Sequence, residues 1–421
     1  MGEALSHIRI CDFTGQLAGA GATKFLAAFG AQVIRIEDPS NQGRWDILRG
    51  APPFKDARRG VEFGAGFNNH NVEKLGITLN LRSPRAKEIL AELVKISDVV
   101  SENFAAGVLD RMGFGYDNLK ALRSDIIYVS NCGFGQAGPY GNFKSWGPIA
   151  QAVSGMTFQS GLPGQEPAGW GYSYMDHTGG YYMAMGILAA LYHRARTGEG
   201  QWVDMSCTEA GAALNGPAVL DWSVNGRPLR REGMPSSNRS QGPAMAPHGI
   251  YPTASEPVAS DGLGENDNWI AVSCRSDAEW ASLVAEISEP WASDSRFDTV
   301  AGRLSHEDEL DEQLARFTQT HGRHELAATL VGLGIPAAAV ARPSERIDQD
   351  QHTADWGLWP TVDHQLMGDV RVDGLGLHLS EQDWHMHRGA PTLGQHNDEV
   401  FGGILGLSAK EIDELRAEGI I

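Results

Sequence analysis

Short apolar runs alternate with stretches of helical spacing from the start of the chain. His7-Ile-Arg-Ile-Cys-Asp12 reads as a strand, Gly19 to Phe29 as a helix, and Gln32-Val-Ile-Arg-Ile-Glu37 as a second strand. A strand, helix and strand in so short a span form the unit from which parallel sheets are built. Lys74 to Leu81 is a further strand, and Ser83-Pro84 opens a helix that runs to about Ile96, with proline in the first turn, where its missing N–H is not needed. Val99-Val-Ser-Glu-Asn-Phe104 and Ile126-Ile-Tyr-Val-Ser130 are later strands. The alternation predicts an open α/β fold. Residues 40–70, rich in Asn, Gly, Arg and Pro, form a loop too long to be idle.

Past these strands the pattern changes twice. Apolar residues from Tyr181 to Leu191 recur with helical spacing, and Gly180, Ala184, Gly186, Ala189 and Ala190 let another backbone approach closely. Residues 225–267 are then dense in Gly, Pro, Ser and Asn and carry no periodic pattern. Asn268 to Ser273 reads as a strand, Asp277 to Ile287 as a helix, and Arg303 to Leu333 as two amphipathic helices separated by His321-Gly322. Ala337 to Val340 and Val370 to Val372 look like strands of a closing segment, and Gly394 to Asp398 begins a helical C-terminus. The expected organisation is a large domain over 1–224, a smaller inserted α+β domain over 225–330, and a segment over 331–421 that returns to the first.

Charge narrows the partners. With 34 basic and 53 acidic residues the net charge is −19, which argues against nucleic acid or an anionic membrane. A phosphate-bearing ligand must therefore find a local positive site. Cys11, Cys132, Cys207 and Cys274 lie far apart, with no CxxC pair, so neither zinc nor a disulfide framework is signalled. No apolar run reaches the ~18 residues of a membrane span, and a reduced cytoplasm is the expected location.

Candidate chemistry concentrates in residues 170–211. Asp176 precedes Thr178-Gly179-Gly180 at the start of the small-residue helix, at or just before its N-cap, where backbone N–H groups and the helix dipole favour an anion. On position alone an ordinary capping aspartate explains it. Gly133-Phe-Gly135-Gln-Ala-Gly138 is a literal GxGxxG after a strand, but Pro139, Gly141, Gly147 and Pro148 follow where the dinucleotide fold requires a helix. No GxSxG elbow occurs. His385-Met-His387 lacks a third convergent metal ligand.

Together, Asp-x-x-x-Gly, the small-residue helix, Leu-Ala-Ala-Leu-Tyr-His-Arg and Thr197-Gly-Glu-Gly-Gln-x-Val-Asp-x-Ser resemble the corresponding region of the class III CoA-transferases. That family includes formyl-CoA transferase, carnitine CoA-transferase and α-methylacyl-CoA racemase, and the resemblance extends from about Arg9 to the C-terminus. It implies a Rossmann-like open-sheet domain with a smaller insertion, in an interlocked dimer. It further implies coenzyme A thioesters as substrates with no metal, an acyl-CoA donor and a carboxylic-acid acceptor, and Asp176 as nucleophile. Leu17-Ala18-Gly19 match the turn near the thioester, and Lys74, Asn103, Phe104 and Arg111 match positions that hold the pantetheine and phosphates.

Some positions depart from the family. The glycine run that closes over the aspartate in formyl-CoA transferase is missing near Ser240-Gln-Gly-Pro243, and Asp38 stands where that enzyme has an adenine-side arginine. Trp146 stands where the racemases carry a catalytic histidine, which favours transfer over racemisation. Trp146, Trp170, Tyr172 and Tyr174 cluster in sequence near Asp176 and suggest a larger or aromatic acyl group, or simply packing. His177 reads as a plain helix-start histidine. Besides CoA transfer, a racemase or isomerase on the same fold and a non-catalytic CoA-binding subunit of a hetero-oligomer remain readings of the sequence.

Overall fold

The computed structural model describes residues 3–421 apart from Pro163, Tyr172 and 257–266. The chain forms two compact units, one made of 1–160, 167–228 and 355–421, the other of 161–166 and 229–354.

In the first unit the order is β1 (Arg9–Asp12), α1 (Ala18–Ala28), β2 (Gln32–Glu37), α2 (Ala65–His70), β3 (Leu75–Thr78), α3 (Pro84–Lys95), β4 (Val99–Glu102), α4 (Tyr116–Leu122), β5 (Ile127–Cys132), α5 (Gly147–Val153), α6 (Tyr174–Thr197), β6 (Trp202–Ser206), α7 (Cys207–Ala213) and α8 (Pro217–Asn225). The strands pair in the order β3-β2-β1-β4-β5-β6, all parallel. Ile10, Val33, Val99 and Ile127 point to a core shared with Leu26 of α1 and Met183 and Ile187 of α6. Their neighbours Cys11, Ile34, Val100 and Tyr128 point to the opposite core, with Leu90 and Leu93 of α3. Burial on both faces is why these strands read as apolar runs rather than as an alternation. The expected loop over 40–70 contains α2, whose Phe67 and Asn68 are buried.

The second unit holds β7 (Ser240–Gln241), β8 (Ala244–Met245), β9 (His248–Pro252), β10 (Trp269–Ser273), α9 (Asp277–Ile287), α10 (Val300–Ser305), α11 (Glu307–Thr318), α12 (Arg323–Gly332), β11 (Ala337–Ala339) and α13 (Pro343–Asp348). An antiparallel β11-β10-β9 sheet packs Tyr251, Ile270 and Val272 against Trp280, Leu283, Leu314 and Leu330, an α+β arrangement. After α14 (Gln351–Asp355), the hairpin β12 (Thr361–His364) and β13 (Gly368–Arg371) and the helix α15 (Ala409–Ala417) complete the first unit. Among the described residues no helix is long and apolar enough to cross a membrane.

Candidate active site

Strand order reverses between β1 and β4, so the chain leaves their carboxyl ends in opposite directions and opens a crevice, the usual ligand position in an open α/β sheet. Here the crevice is a cavity of about 340 Å³. Gln16 and Ala18 line it from the turn after β1, Asn103 and Phe104 from the end of β4, Cys132 from β5, and Asp176 and Cys207 from the starts of α6 and α7.

The β1–α1 turn is fixed by side chains from other elements. Asp12, fully buried, accepts hydrogen bonds from Thr14 N at 3.0 Å, the Ser101 hydroxyl at 2.9 Å and the Thr23 hydroxyl at 2.9 Å. Asn103 clasps Gly15 twice, accepting from its N–H at 2.8 Å and donating to its carbonyl at 2.9 Å. The indole of Trp45 lies where a Cβ on Gly15 would be, so any larger residue there would displace the ring. Phe104 meets the Trp45 ring edge-on at 5.3 Å. α1 begins without a side-chain cap, and Gly21 N, donating to the Leu17 carbonyl at 2.8 Å, makes its first turn-closing bond. Among the described residues the amides of Leu17, Ala18, Gly19 and Ala20 have no acceptor, which leaves the start of α1 open to an anion.

Asp176 reaches the same edge through helix packing. α1 and α6 each return the chain from the carboxyl edge of the sheet to the start of a parallel strand, so they run side by side in one direction. A Cβ on Gly180 would lie 2.7 Å from the Ala18 carbonyl oxygen, so the two backbones touch. Asp176, one turn earlier on the same helix face, then sits beside the mouth of α1.

The helix start differs from the expectation. α6 begins at Tyr174 with Ser173 as N-cap, so Asp176 lies inside the first turn rather than at or before the cap. The extra turn forms because Met175 buries itself among Ala150, Met156, Met205 and Cys207. Burial desolvates the carboxyl and raises its pKa to about 6, above the ordinary carboxylate range despite the helix terminus. At pH 7 it is still mostly a carboxylate. Its neighbours are poorer nucleophiles: burial, with Asp176 close by, pushes the Cys207 thiol up to about 12, and burial pushes Cys132 up to about 11.

Of the residues expected at the site, Asp176, Ala18, Asn103 and Phe104 line the cavity, whereas Leu17, Lys74 and Arg111 do not. Leu17 is the N-cap residue of α1. Lys74 needs correction as a phosphate contact: its side chain is fully buried, and its ammonium donates to the Ala20 carbonyl and to Asn71, each at 3.0 Å, beside Asp12 at 3.4 Å. Burial lowers its pKa to about 8. Arg111 is exposed and donates to the Ala106 carbonyl at 3.3 Å, on the segment whose Ala105 and Ala106 line the cavity.

Trp146 lines the cavity and Trp170 and Tyr174 do not; they pair edge-on at 5.3 Å, and Tyr172 lies outside the described residues. His177 is not among the lining residues either, and its ring packs against His70 at 5.4 Å. Sequence reasoning missed Gln16, Trp45 and Lys144 of the lining. The one available signal was that the loop over 40–70 is too long to be idle, and Trp45 lies in it.

A parallel sheet in this order, with a carboxylate and an uncapped helix start side by side at its crevice, defines a class that the sequence comparisons identify. The profile of CoA-transferase family III matches residues 5–397, and the chain belongs to that family of enzymes acting on CoA thioesters. It is 32% identical to a formyl-CoA:oxalate CoA-transferase of Streptomyces coelicolor, over 100% of this chain and 99% of the relative. It is 30% identical to a succinyl-CoA–D-citramalate CoA-transferase of Chloroflexus aurantiacus, over 99% and 98%. The crystal structure of a CAIB/BAIF family protein from Brucella suis superposes with a TM-score of 0.83 at 26% identity, covering 96% of this chain and 100% of that one.

Proposed function

We propose that this CoA-transferase works through a covalent aspartyl-CoA intermediate on Asp176, moving CoA from an acyl-CoA donor to a free carboxylic acid. The observation that carries the reading is the desolvated carboxylate of Asp176 at the cavity edge, beside two protonated thiols and the uncapped start of α1. A carboxylate needs no base to become a nucleophile. An Asp176 oxygen attacks the thioester carbonyl and CoA thiolate leaves, giving a mixed anhydride. The thiolate then attacks the aspartyl carbonyl, expels the donor's carboxylate and forms the aspartyl-CoA thioester. The acceptor carboxylate attacks that thioester, and the released thiolate takes the acyl group from the second anhydride, restoring Asp176. Each attack creates an oxyanion, and the free amides at the start of α1 supply donors for it.

By likeness to the oxalate and citramalate enzymes, the acceptor is a small carboxylic acid. Asn103 and Phe104 form the wall that takes the acyl–pantetheine end, with Leu17 and Ala18 at the thioester and Arg111 on the CoA phosphates. We place the reaction in the cytoplasm. The working form in this reading is an interlocked homodimer, supported by α8, where Leu220, Trp222 and Val224 are each more than half exposed with no buried residue on the helix. A stable monomer in sedimentation at micromolar concentration contradicts that assembly.

Asp176→Asn keeps the shape and removes the nucleophile, so it should fold and lose transfer by several orders of magnitude. Hydroxylamine added to enzyme incubated with acyl-CoA should modify Asp176 alone. Transfer by the Asn variant at a rate comparable to wild type, or an unmodified Asp176 in active enzyme, rules out the covalent mechanism.

A further inference from the structure

Seven non-glycine residues have left-handed backbones among the described residues, and of these Gln16, at φ +56°, alone lines the cavity. A glutamine adopts that conformation only where its surroundings over-determine it, and such residues gather at functional sites. The determinants are visible. The carboxylate of Asp46, with no exposed side-chain surface, accepts from Gln16 N at 3.0 Å and from Arg35 Nη2 at 2.8 Å, while its other oxygen accepts from Leu48 N at 3.1 Å. Arg35, equally buried, also donates to the Thr14 carbonyl. The residues before Gln16 are held at Gly15 by Asn103. The turn is thus gripped from β2, from the loop after it and from the end of β4.

The grip has a chemical consequence for the side chain. Three carboxamides line the cavity. Asn103 spends both ends on Gly15; Asn131 accepts from the Cys207 thiol at 3.3 Å and donates to Met183 Sδ at 3.5 Å. The Gln16 carboxamide has no partner among the described residues. It is a neutral donor and acceptor left uncommitted in the cavity that Asp176 also lines, and the oxygens it can satisfy there are those of a bound acyl group.

We infer that Gln16 contacts the substrate, its carboxamide N–H donating to the carbonyl or carboxylate oxygen of the acyl group, and that Asp46 is the positioning residue that locks Gln16 in the left-handed conformation needed to do so. This rests on acyl transfer at Asp176. The contact serves donor and acceptor in turn, because both present the same oxygens to the same place. Asp46 takes no part in the chemistry and acts by holding the turn, through the backbone N–H of Gln16 and through Arg35, which grips Thr14.

The test uses the purified full chain, succinyl-CoA as donor and the free acid that exchanges fastest from a panel including oxalate and citramalate. Gln16→Leu keeps the bulk and deletes the hydrogen bond, so kcat/KM for the acid should fall about tenfold or more, with melting temperature unchanged. Gln16→Glu, which sets a like charge against the acid, should fall further and stands in if the leucine variant is unstable. Asp46→Asn should lower the same constant, and in the Gln16→Leu background it should cause no additional loss, because a residue acting through Gln16 has nothing left to act on. A Gln16→Leu rate equal to wild type overturns the contact. Equal losses from Asp46→Asn in both backgrounds overturn the positioning role. Labelling of Asp176 in wild type tests the nucleophile separately, so the two readings fail independently.

Discussion

Gly180→Ala offers the sharpest test of how the site is built. In an exposed helix the change gains about 1 kcal/mol, because alanine loses less backbone entropy on folding. Gly180 is not in that position: the added methyl would sit 2.7 Å from the Ala18 carbonyl oxygen, short of the roughly 3.3–3.6 Å of ordinary C···O contact. The obstacle is backbone on a helix packed into the core, so α1 and α6 must separate, at an overpacking cost of about 1–3 kcal/mol. Against the propensity gain, the expected result is a net loss of roughly 1 kcal/mol, a fall of about 2 °C in Tm. Activity should suffer more, because separating the helices moves Asp176 from the start of α1, and a 1 Å displacement of reacting groups is worth about 100-fold in rate. Gly332→Ala is the control: it lies in α12, where an added Cβ meets nothing within 4 Å, and should stabilise by about 0.5–1 kcal/mol. Thermal melts and kcat on both variants decide the matter. If Gly180→Ala stabilises as Gly332→Ala does and keeps its kcat, the helices do not meet at Gly180.

The remaining predictions concern charge. Asp176 has its pKa raised in the fold to about 6 from 3.8, so the proton is held more tightly in the native state than in the unfolded one. The associated stability is complete below about pH 4 and lost as pH rises through about 6, a cost of about 2–3 kcal/mol by pH 8. Asp176→Asn should therefore melt higher than wild type at pH 8 and close to it at pH 4, while wild-type kcat/KM rises through about pH 6; equal melting at both values refutes the desolvation argument. Lys74→Met removes a buried ammonium from Asp12, Ala20 and Asn71 and should destabilise by about 3 kcal/mol or more, leaving CoA affinity of the folded protein unchanged by calorimetry. A normal Tm with weakened CoA binding would restore Lys74 to the ligand. Arg111→Ala should weaken CoA binding by about 1–3 kcal/mol with no loss of stability, and an unchanged Kd removes Arg111 from the CoA site.

The strands were legible because adjacent apolar residues facing opposite cores recur in them, Val33-Ile34 and Val99-Val100 among them; Gln32–Glu37 has the bounds the pattern gives it. Pro84 likewise marked the first turn of α3. β6 was not legible, since Trp202 and Asp204 of this edge strand are exposed and no apolar run forms. α2 hid within a polar stretch because Asn68 and Asn71 are buried through hydrogen bonds to carbonyls at Gly64 and Phe67, which no hydropathy pattern records. The site was legible as far as local sequence carries it. Asp176 stood out, but its exact helical position depended on Met175 burying against residues distant in sequence. Lys74 misled for a related reason: in sequence it is an available cation, and only the fold brings Asp12, Ala20 and Asn71 around it.

The clasping of the β1–α1 turn bears on which parts of this molecule can drift. Thr14, Gly15 and Gln16 each give a backbone group to a side chain from elsewhere, so inserting or deleting one residue there would break several bonds at once and turn Gln16 out of register. Another part of the lining, with Lys144 and Trp146, belongs to the segment between β5 and α5, and both of those residues are exposed. Loops of that kind tolerate changes of length and composition that a clasped turn does not. On the proposed acyl-transfer reading, new acyl groups are accommodated by remodelling residues 141–147, while the turn after β1 keeps its length.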